Sequence, residues 1–476
     1  MRKYFFVFQI FNAAYLTVSA QNIGIGTNTP TEKLHINGNI KGDTLKPNAI
    51  KLAPNAGAGR MLTSDATGNA TWQERSAGGG VGFGSWGDCS MSGVSEYNPI
   101  ADQTGAALDA FGQSVSISGN FAIVGAPSDN GGSVLEGSAS IYQFNGSSWM
   151  FKQKLTNQMA GAGDRFGTSV SISGNYAIVG ALYDNSTFDL QGSASIYQYN
   201  GINWVLMEKL EDTNGGYNDN FGNSVSISGN YAIVGASGDD EMFVNQGSVS
   251  IYHYNGSNWV LMQKKTDATG DTDDNFGTSV SISGNFAFVG AYRDDGIYVD
   301  QGSVSIYQYL TASIWILKEK ITQVNGAAFD NFGASVFIQG NNAIVGAFAF
   351  DSTFSNQGSA SIYQFNGSNW IFMQKLTHET GAENDNFGRS VSISGDYAIV
   401  GTSGDDIDTN INQGSASIFL RVGLEWQKLQ YVTDPGGKPT NYFGTATSID
   451  GATKRFLIGA SGYANSSGKV VFGKVN

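Results

Sequence analysis

Short stretches of alternating hydrophobic and polar residues recur along most of the chain. Ser224 to Ser228 alternates serine with valine and isoleucine, and this period of two predicts a β-strand rather than a helix. Tyr231 to Ala236 is continuously apolar, so we expect a second strand with both faces buried. Ser248 to Tyr254 alternates again, and a fourth strand is expected to begin near Trp259. No stretch has a sustained helical period. We name these four strands A, B, C and D.

The same four-strand pattern is repeated along the chain. The dipeptide Phe-Gly marks each copy, at Phe111, Phe166, Phe221, Phe276, Phe332, Phe387 and Phe443. The intervals between these positions are 55, 55, 55, 56, 55 and 56 residues, and such a near-constant period is typical of repeat architectures. Gly-Asn and Asn-Gly pairs, as at Gly229-Asn230 and Asn255-Gly256, predict tight turns between A and B and between C and D.

Seven units of four antiparallel strands predict an all-β fold, a seven-bladed β-propeller. Strand A is rich in serine and glycine, which fits the crowded axis of a propeller. Strand D carries Trp, Leu and Met, which fits the wider rim. The alternative is an open solenoid of β units, but a solenoid needs capping repeats, and the sequence shows none.

The last copy lacks a strand D. Three predicted strands follow Phe443, at residues 445–449, 455–460 and 469–473. Val94 to Ile100 has the pattern of a strand D but has no strands A, B or C before it. We therefore expect this segment to pair with the strand containing Val470 and Val471. Such pairing closes the ring and removes an unpaired sheet edge.

The first twenty residues have the features of a secretory signal peptide. A basic start at Arg2 and Lys3 precedes the mostly apolar run from Tyr4 to Val18, and small residues end at Ala20. We expect cleavage after Ala20 and a secreted or cell-surface protein, without membrane insertion. The alternative, an uncleaved anchor helix, is disfavoured because the apolar run is short for a membrane span.

The rest of the chain is expected to divide into three parts. Residues 21–75 form a small β-rich stalk, residues 76–91 a glycine-rich linker, and residues 92–476 the propeller with its closing strand at 94–100. The stalk motifs, such as Ile23-Gly24-Ile25-Gly26, resemble a segment common at the start of exported proteins of the Bacteroidetes. They are also similar to trimeric tail-fibre repeats, which implies a homo-trimer formed through the stalk.

Composition narrows the possible functions. The chain has 40 acidic and 26 basic residues and a formal net charge of −14, so nucleic acid and anionic membranes would repel it. Its hydrophobic content of 41% is too high for a disordered chain. The single cysteine, Cys89, excludes an intramolecular disulfide framework and a cysteine-based zinc cluster.

The repeats resemble FG-GAP repeats, on the evidence of Phe111-Gly112 before strand A and Gly125-Ala126-Pro127 at the end of strand B. The resemblance covers residues 94–476, although only the first copy keeps the proline. It implies a ligand-binding propeller, as in integrin α chains, and the sequence looks like the secreted bacterial members. Integrin-type calcium cages lie between strands A and B. Here that loop is only two residues, as at Gly229-Asn230, too short to supply the ligands.

Acidic residues recur in the B–C and D–A loops, which emerge together on one side of a four-stranded meander. We call this side the loop face. The candidate ligand-binding residues on it are Asp184, Asp239, Asp240, Asp294, Asp295, Asp405 and Asp406. Asp271, Asp273 and Asp274 are candidate ligands for weakly bound Ca²⁺, and no other cofactor is expected. The alternative is that each aspartate caps its own turn.

Catalytic motifs are not apparent. The three histidines, His35, His253 and His378, do not recur at one repeat position, and we interpret them as isolated polar residues. Three arginines, Arg165, Arg293 and Arg389, also occupy unrelated positions in the repeat. The sequence therefore predicts no enzyme but a binding or adhesion module that recognises a protein or glycan through the loop face. The alternatives are a carbohydrate-active lyase or hydrolase on the same face, or a purely structural surface protein.

Overall fold

The computed structural model describes residues 23–25, 34–36, 60–64, 70–74, 94–101, 108–130, 134–157, 161–185, 188–310 and 314–475. The chain divides into two compact units, Met1–Gly80 and Val81–Asn476. In the first unit, Ile23–Ile25 pairs in parallel with Leu34–Ile36, and Arg60–Ser64 pairs antiparallel with Ala70–Glu74. The predicted signal peptide and glycine-rich linker lie outside the described residues. No helix in the described ranges has the length and apolar content to cross a membrane.

The second unit contains seven four-stranded antiparallel sheets, which confirms the predicted seven-bladed β-propeller. The strands of blades 1 to 4, in the order A, B, C, D, are Ser114–Ser118, Phe121–Ala126, Ser138–Phe144 and Trp149–Leu155; Phe166–Ser173, Tyr176–Ala181, Ser193–Tyr199 and Trp204–Leu210; Phe221–Ser228, Tyr231–Ala236, Ser248–Tyr254 and Trp259–Lys265; and Ser279–Ser283, Phe286–Ala291, Ser303–Leu310 and Ile314–Ile321.

Blades 5 to 7 continue the series, and blade 7 takes its strand D from the start of the unit. Their strands are Phe332–Gln339, Asn342–Ala347, Ser359–Phe365 and Trp370–Leu376; Phe387–Ser394, Tyr397–Thr402, Ser415–Val422 and Glu425–Thr433; and Phe443–Asp450, Arg455–Ala460, Lys469–Val475 and Val94–Ala101. A single helical turn, Tyr463–Ser466, lies between strands B and C of blade 7.

The strand that closes the ring is the one expected from the sequence. Val94–Ala101 runs antiparallel to Lys469–Val475, with Ile100 opposite Val470. The Ile100 side chain is partly buried and packs against the apolar cluster shared by blades 1 and 7. This pairing excludes the open solenoid, because the first and last strands of the unit belong to one sheet.

The hydrophobic core lies between the blades rather than within them. One cluster joins Ile141 and Leu155 of blade 1 to Phe166 and Val179 of blade 2, and the other junctions repeat it. Strand B is buried on both faces, as its continuous apolar run predicts. Removing each such side chain from water contributes roughly 1.5–3 kcal/mol, so every blade stabilises both its neighbours.

The Phe-Gly repeat reflects close backbone contact between adjacent blades. The fully buried Phe166 donates its N–H to the carbonyl of Glu136 in the preceding blade, at 2.9 Å. Gly137, opposite it, has φ of +84°, and a Cβ there would lie 2.2 Å from the carbonyl oxygen of Phe166. Only glycine fits such an approach, which explains the Gly that precedes strand C in each copy.

Serine hydroxyl groups join the blades around the axis. In six of the seven blades, the middle serine of strand A accepts the N–H of an isoleucine in strand A of the next blade. The six pairs, at 3.0 to 3.2 Å, are Ser116–Ile172, Ser171–Ile227, Ser226–Ile282, Ser281–Ile338, Ser392–Ile449 and Ser448–Ile117. Blade 5 has Phe337 at this position, so the junction between blades 5 and 6 lacks the serine bond. The serines near the axis thus also accept hydrogen bonds from backbone N–H groups at the inner edge of the neighbouring sheet.

Candidate functional site

The first aspartate of most B–C loops is buried inside its blade. Asp184 is 3% exposed, lies 2.8 Å from the ammonium nitrogen of Lys209 on strand D, and accepts a hydrogen bond from Ser193. The same arrangement joins Asp129 to Lys154. It recurs with Asp239 and Lys264 and with Asp294 and Lys320.

Four of the candidate ligand-binding residues therefore lie inside the propeller instead of on its surface. They are Asp184, Asp239, Asp294 and Asp405. The sequence interpretation placed them on the surface because loop aspartates usually are exposed. It did not recognise the partner groups, which lie on strands C and D of the same blade.

The second aspartate of these loops stays on the surface. Asp240, Asp295 and Asp406 are exposed. Each accepts, at 2.7 Å, the backbone N–H of a residue five or six positions later, which closes the loop. Such capping is the alternative that the sequence analysis weighed. The carboxylates remain at the solvent boundary of the loop face.

The candidate calcium ligands have separate hydrogen-bond partners. Asp274 is buried and accepts the N–H of Asp271, at 2.6 Å. Asp271 and Asp273 are exposed; the former accepts the N–H of Thr272 and the latter the side-chain amide of Asn245, both at 2.7 Å. The weak calcium site at these residues stays a prediction.

Buried aspartates in the D–A loops are shifted toward neutrality. Burial, together with the nearby carboxylates of Asp239 and Asp212, raises the pKa of Asp219 from 3.8 to about 6, against the opposing effects of the Gly216 N–H and Lys264. Burial likewise raises the pKa of Asp274 to about 6. These carboxyl groups are therefore partly protonated in mildly acidic solution.

Lysine ammonium groups neutralise the carboxylates where blades meet. Between blades 2 and 3, the nitrogen of Lys264 lies 2.9 Å from Asp212, 2.6 Å from Asp239 and 2.7 Å from Glu241. Burial alone would lower the pKa of Lys264, but the hydrogen bonds to these three carboxylates raise it above its ordinary value. Lys320 holds the equivalent place between blades 3 and 4, bonded to Asp267 and Asp294.

The junction between blades 5 and 6 departs from this scheme. Its lysine position is occupied by Tyr431, whose hydroxyl donates to Asp405 at 2.5 Å. His378 is 5% exposed and faces Asp385 on one side and Asp405 on the other. The interpretation of His378 as an isolated polar residue is therefore wrong. A comparison of the repeats could have found this site. His378 stands where the other copies have Asp, Asn or Gln, and Tyr431 stands where blades 1 to 5 have Lys.

A cavity of about 540 Å³ opens among blades 4, 5 and 6 on the loop face. Aromatic rings from three different segments contribute to its walls, together with two guanidinium groups and one carboxylate. These residues are Tyr292, Arg293, Asp300, Phe329, Phe348 and Arg389. Sequence analysis found no such grouping.

The two arginines are available to a ligand. The guanidinium of Arg389 lies 4.9 Å from the centre of the Phe348 ring, and that of Arg293 lies 5.3 Å from the Tyr292 ring. Both side chains are exposed. Within the described ranges, neither forms an ion pair. Arg165, by contrast, donates to the Ser128 hydroxyl outside this cavity.

Arg293 and Arg389 come from different repeat positions but line the same cavity. Arg293 follows strand B of blade 4, whereas Arg389 lies in strand A of blade 6. The corresponding residues of the other blades are small or uncharged: Ser128, Tyr183, Gly238, Ala349, Gly404 and Gly462 for the former, and Gln113, Thr168, Asn223, Thr278, Ala334 and Thr445 for the latter. The arginines thus break the symmetry of the repeats at one place on the ring.

Exposed aromatic residues extend from this region over the B–C loops. Blades 2 to 5 each have an exposed aromatic residue at the same position. It lies four residues before the glycine that precedes strand C in every copy. They are Phe188, Phe243, Tyr298 and Phe354, and all are more than two-fifths exposed. Exposed apolar groups that recur on one face are typical of an interaction surface.

Comparison with known proteins agrees with this repeat organisation. The family model described as FG-GAP repeat matches six segments, which together cover more than half of the chain: residues 95–142, 149–197, 204–252, 259–307, 315–363 and 370–419. Each matched segment begins in strand D of one blade and ends in strand C of the next. The seventh unit of the ring, residues 425–475, follows the last match. A search of curated proteins found no match.

Proposed function

The chain belongs to the FG-GAP repeat family, and on that premise we propose that it is an exported module that binds an acidic glycan. The binding site we assign is the cavity among blades 4, 5 and 6. The observation that carries this proposal is the pair Arg293 and Arg389, which form no ion pair with any residue that the structure describes and which bring two positive charges and aromatic neighbours to one cavity of an acidic chain.

The cavity chemistry fits a sugar that carries a carboxylate. Guanidinium groups form paired, charge-assisted hydrogen bonds with carboxylates. The rings of Tyr292, Phe329 and Phe348 offer apolar faces against which the C–H groups of a sugar can pack. The volume lies within the roughly 300–1,000 Å³ of typical small-ligand sites, which is enough for a short oligosaccharide.

The surrounding charge favours a ligand with few charges. The net charge of −14 and the exposed carboxylates of Asp240 and Asp295 create a negative field around the loop face. A long polyanion would be repelled by this field over most of its length. A single acidic sugar, at a chain end or among neutral sugars, meets the arginines without that penalty.

The residues that line the cavity favour binding without catalysis. Its described lining contains one carboxylate, Asp300, and no histidine. Glycoside hydrolysis normally uses two carboxyl groups on opposite sides of the scissile bond. We therefore propose that the protein recognises a ligand without transforming it. If no ligand binds, the alternative of a purely structural surface protein is favoured.

Display on a stalk would increase the avidity of such a site. We propose that residues 21–75 self-associate as a trimer, because their strand signals carry too little apolar content to fold alone. Three linked propellers would bind a surface far more tightly than one, provided that the spacing allows simultaneous contact. Light scattering on the chain that begins at Gln21, which we call the mature chain, tests this, and a monomer at the concentrations used for binding would contradict it.

The binding proposal is tested on an array of neutral and acidic oligosaccharides probed with the mature chain. We expect retention on spots that carry uronic or other carboxylated sugars. Arg293→Gln and Arg389→Gln should each weaken binding by roughly tenfold or more, because each removes a charged hydrogen bond. Arg165→Gln is the matched control and should bind as the original chain does. Retention on neutral sugars alone, or equal binding by all three variants, would refute the proposal.

A further inference from the structure

Three buried side chains with metal-ligand chemistry converge between blades 5 and 6. The side chains of His378, Asp385 and Asp405 are 3%, 2% and 8% exposed. His378 Nδ1 lies 3.6 Å from Asp385 Oδ2, and Nε2 lies 3.8 Å from Asp405 Oδ2. One donor atom from each residue falls within 4.8 Å of the other two, so a single ion can reach all three.

Other junctions place an ammonium group where this one has none. Asp212, Asp219 and Asp239 form the corresponding cluster between blades 2 and 3, and Lys264 bonds to the first and last of them. Between blades 5 and 6 the neutral Tyr431 replaces the lysine. In the part of the chain that the structure describes, no lysine or arginine lies within 4.0 Å of Asp385 or Asp405.

The histidine itself indicates a missing partner. His378 Nδ1 is buried and has no hydrogen-bond partner among the described residues, which costs free energy unless another group satisfies it. The imidazole is held between the rings of Phe387 and Tyr431, at centroid distances of 6.1 and 5.4 Å. Its orientation is therefore fixed, with Nδ1 toward Asp385 and Nε2 toward Asp405.

We propose that a divalent transition-metal ion, best matched by zinc, binds to His378, Asp385 and Asp405. One imidazole nitrogen and two carboxylate oxygens are ligands that zinc accepts, whereas calcium and magnesium prefer oxygen alone. Two positive charges balance the two buried carboxylates, as lysine does in other junctions. Water completes the usual four ligands of zinc.

The surroundings support the ligands as in known metal sites. Ser415 and Tyr431 both donate hydroxyl groups to Asp405 at 2.5 Å, and the N–H of Ala382 donates to Asp385 at 2.6 Å. Such outer contacts orient carboxylate ligands. The same junction lacks the bond from the middle serine of strand A, because blade 5 has Phe337 there, so a bridging ion would add a polar link between these two blades.

Zinc titration of the chelator-treated mature chain tests the site. We expect one zinc ion bound per chain by calorimetry, and a melting temperature that rises with zinc concentration because the ion binds the folded state. Calcium at the same concentrations should have no such effect. His378→Gln should weaken zinc binding by at least roughly a hundredfold, since it removes a ligand.

Two further variants separate metal binding from folding defects. Tyr431→Lys introduces the ammonium group of the other junctions, so it should fold, gain stability without metal and lose the response to zinc. His253→Gln is the matched histidine control and should bind zinc normally, because Gln143, Gln198, Gln308 and Gln364 occupy that position in other blades. The proposal is overturned if the original chain binds no zinc. It is equally overturned if Tyr431→Lys binds zinc as well as the original chain.

Discussion

Replacing Lys264 with methionine removes the ammonium group that neutralises the junction between blades 2 and 3. The nitrogen contacts Asp212, Asp239 and Glu241 at 2.6 to 2.9 Å. The first two carboxylates are buried, with side chains 6% and 7% exposed. Methionine keeps most of the side-chain volume, so the main effect of the change is electrostatic.

The expected loss of stability is about 3–5 kcal/mol at pH 7, the usual cost of breaking a buried ion pair by removing one partner. The loss should shrink toward pH 5. Lys264 opposes the rise in the pKa of Asp219 in the same cluster, so without the lysine this pKa rises further in the folded state, and protonation of Asp219 at lower pH removes part of the uncompensated charge.

Urea unfolding followed by tryptophan fluorescence measures this effect, because Trp259 and its equivalents are buried at the blade contacts. Lys265→Met is the matched control, since the neighbouring Lys265 forms no ion pair within the described ranges. Its free energy of unfolding should change by less than about 0.5 kcal/mol. If Lys264→Met is no more destabilised than Lys265→Met, the buried lysine network does not stabilise the propeller as argued.

Three further outcomes are expected. A chain that starts at Asp109 loses the closing strand and should lose cooperative melting; a melting curve like that of the mature chain would contradict the closure. Asp219→Asn should stabilise the protein at pH 7, by up to roughly 3 kcal/mol for a pKa of about 6 against 3.8. A raised carboxyl pKa means that stability falls as pH rises from about 4 to 6, so this variant should show a shallower fall. Phe337→Ser should allow a serine hydroxyl to accept the N–H of Ile393, as in the other blades, although the packing of the partly buried phenyl ring is lost. Amide hydrogen exchange measures this bond, and exchange at Ile393 should become slower.

The repeats made the fold predictable. A period of two in segments such as Ser224 to Ser228, copied seven times, leaves few alternatives to a ring of antiparallel sheets. The closing strand could also be found, because Val94 to Ile100 carries the pattern of one strand and the last copy lacks that strand. Both inferences need only local pattern and counting.

The candidate sites were harder to predict because they depend on contacts between distant segments. Asp184 has the sequence context of a solvated loop, and its burial depends on Lys209 on strand D. His378 can be recognised as a candidate metal ligand only when the fold places it beside Asp405 of the next blade. Arg293 and Arg389 occupy different positions of the repeat, so an alignment of copies separates two residues that the ring brings to one cavity.

A calorimetric titration with a uronic-acid disaccharide and its neutral methyl ester is the most direct test of acidic-glycan recognition. The two ligands differ only in the carboxylate. We expect the acid to bind to the mature chain roughly ten- to a hundredfold more tightly than the ester, the range expected for a charged hydrogen bond. That preference should disappear in Arg389→Gln and persist in Arg165→Gln. Equal affinity for acid and ester, or a preference that survives Arg389→Gln, would contradict recognition of a carboxylate by this cavity.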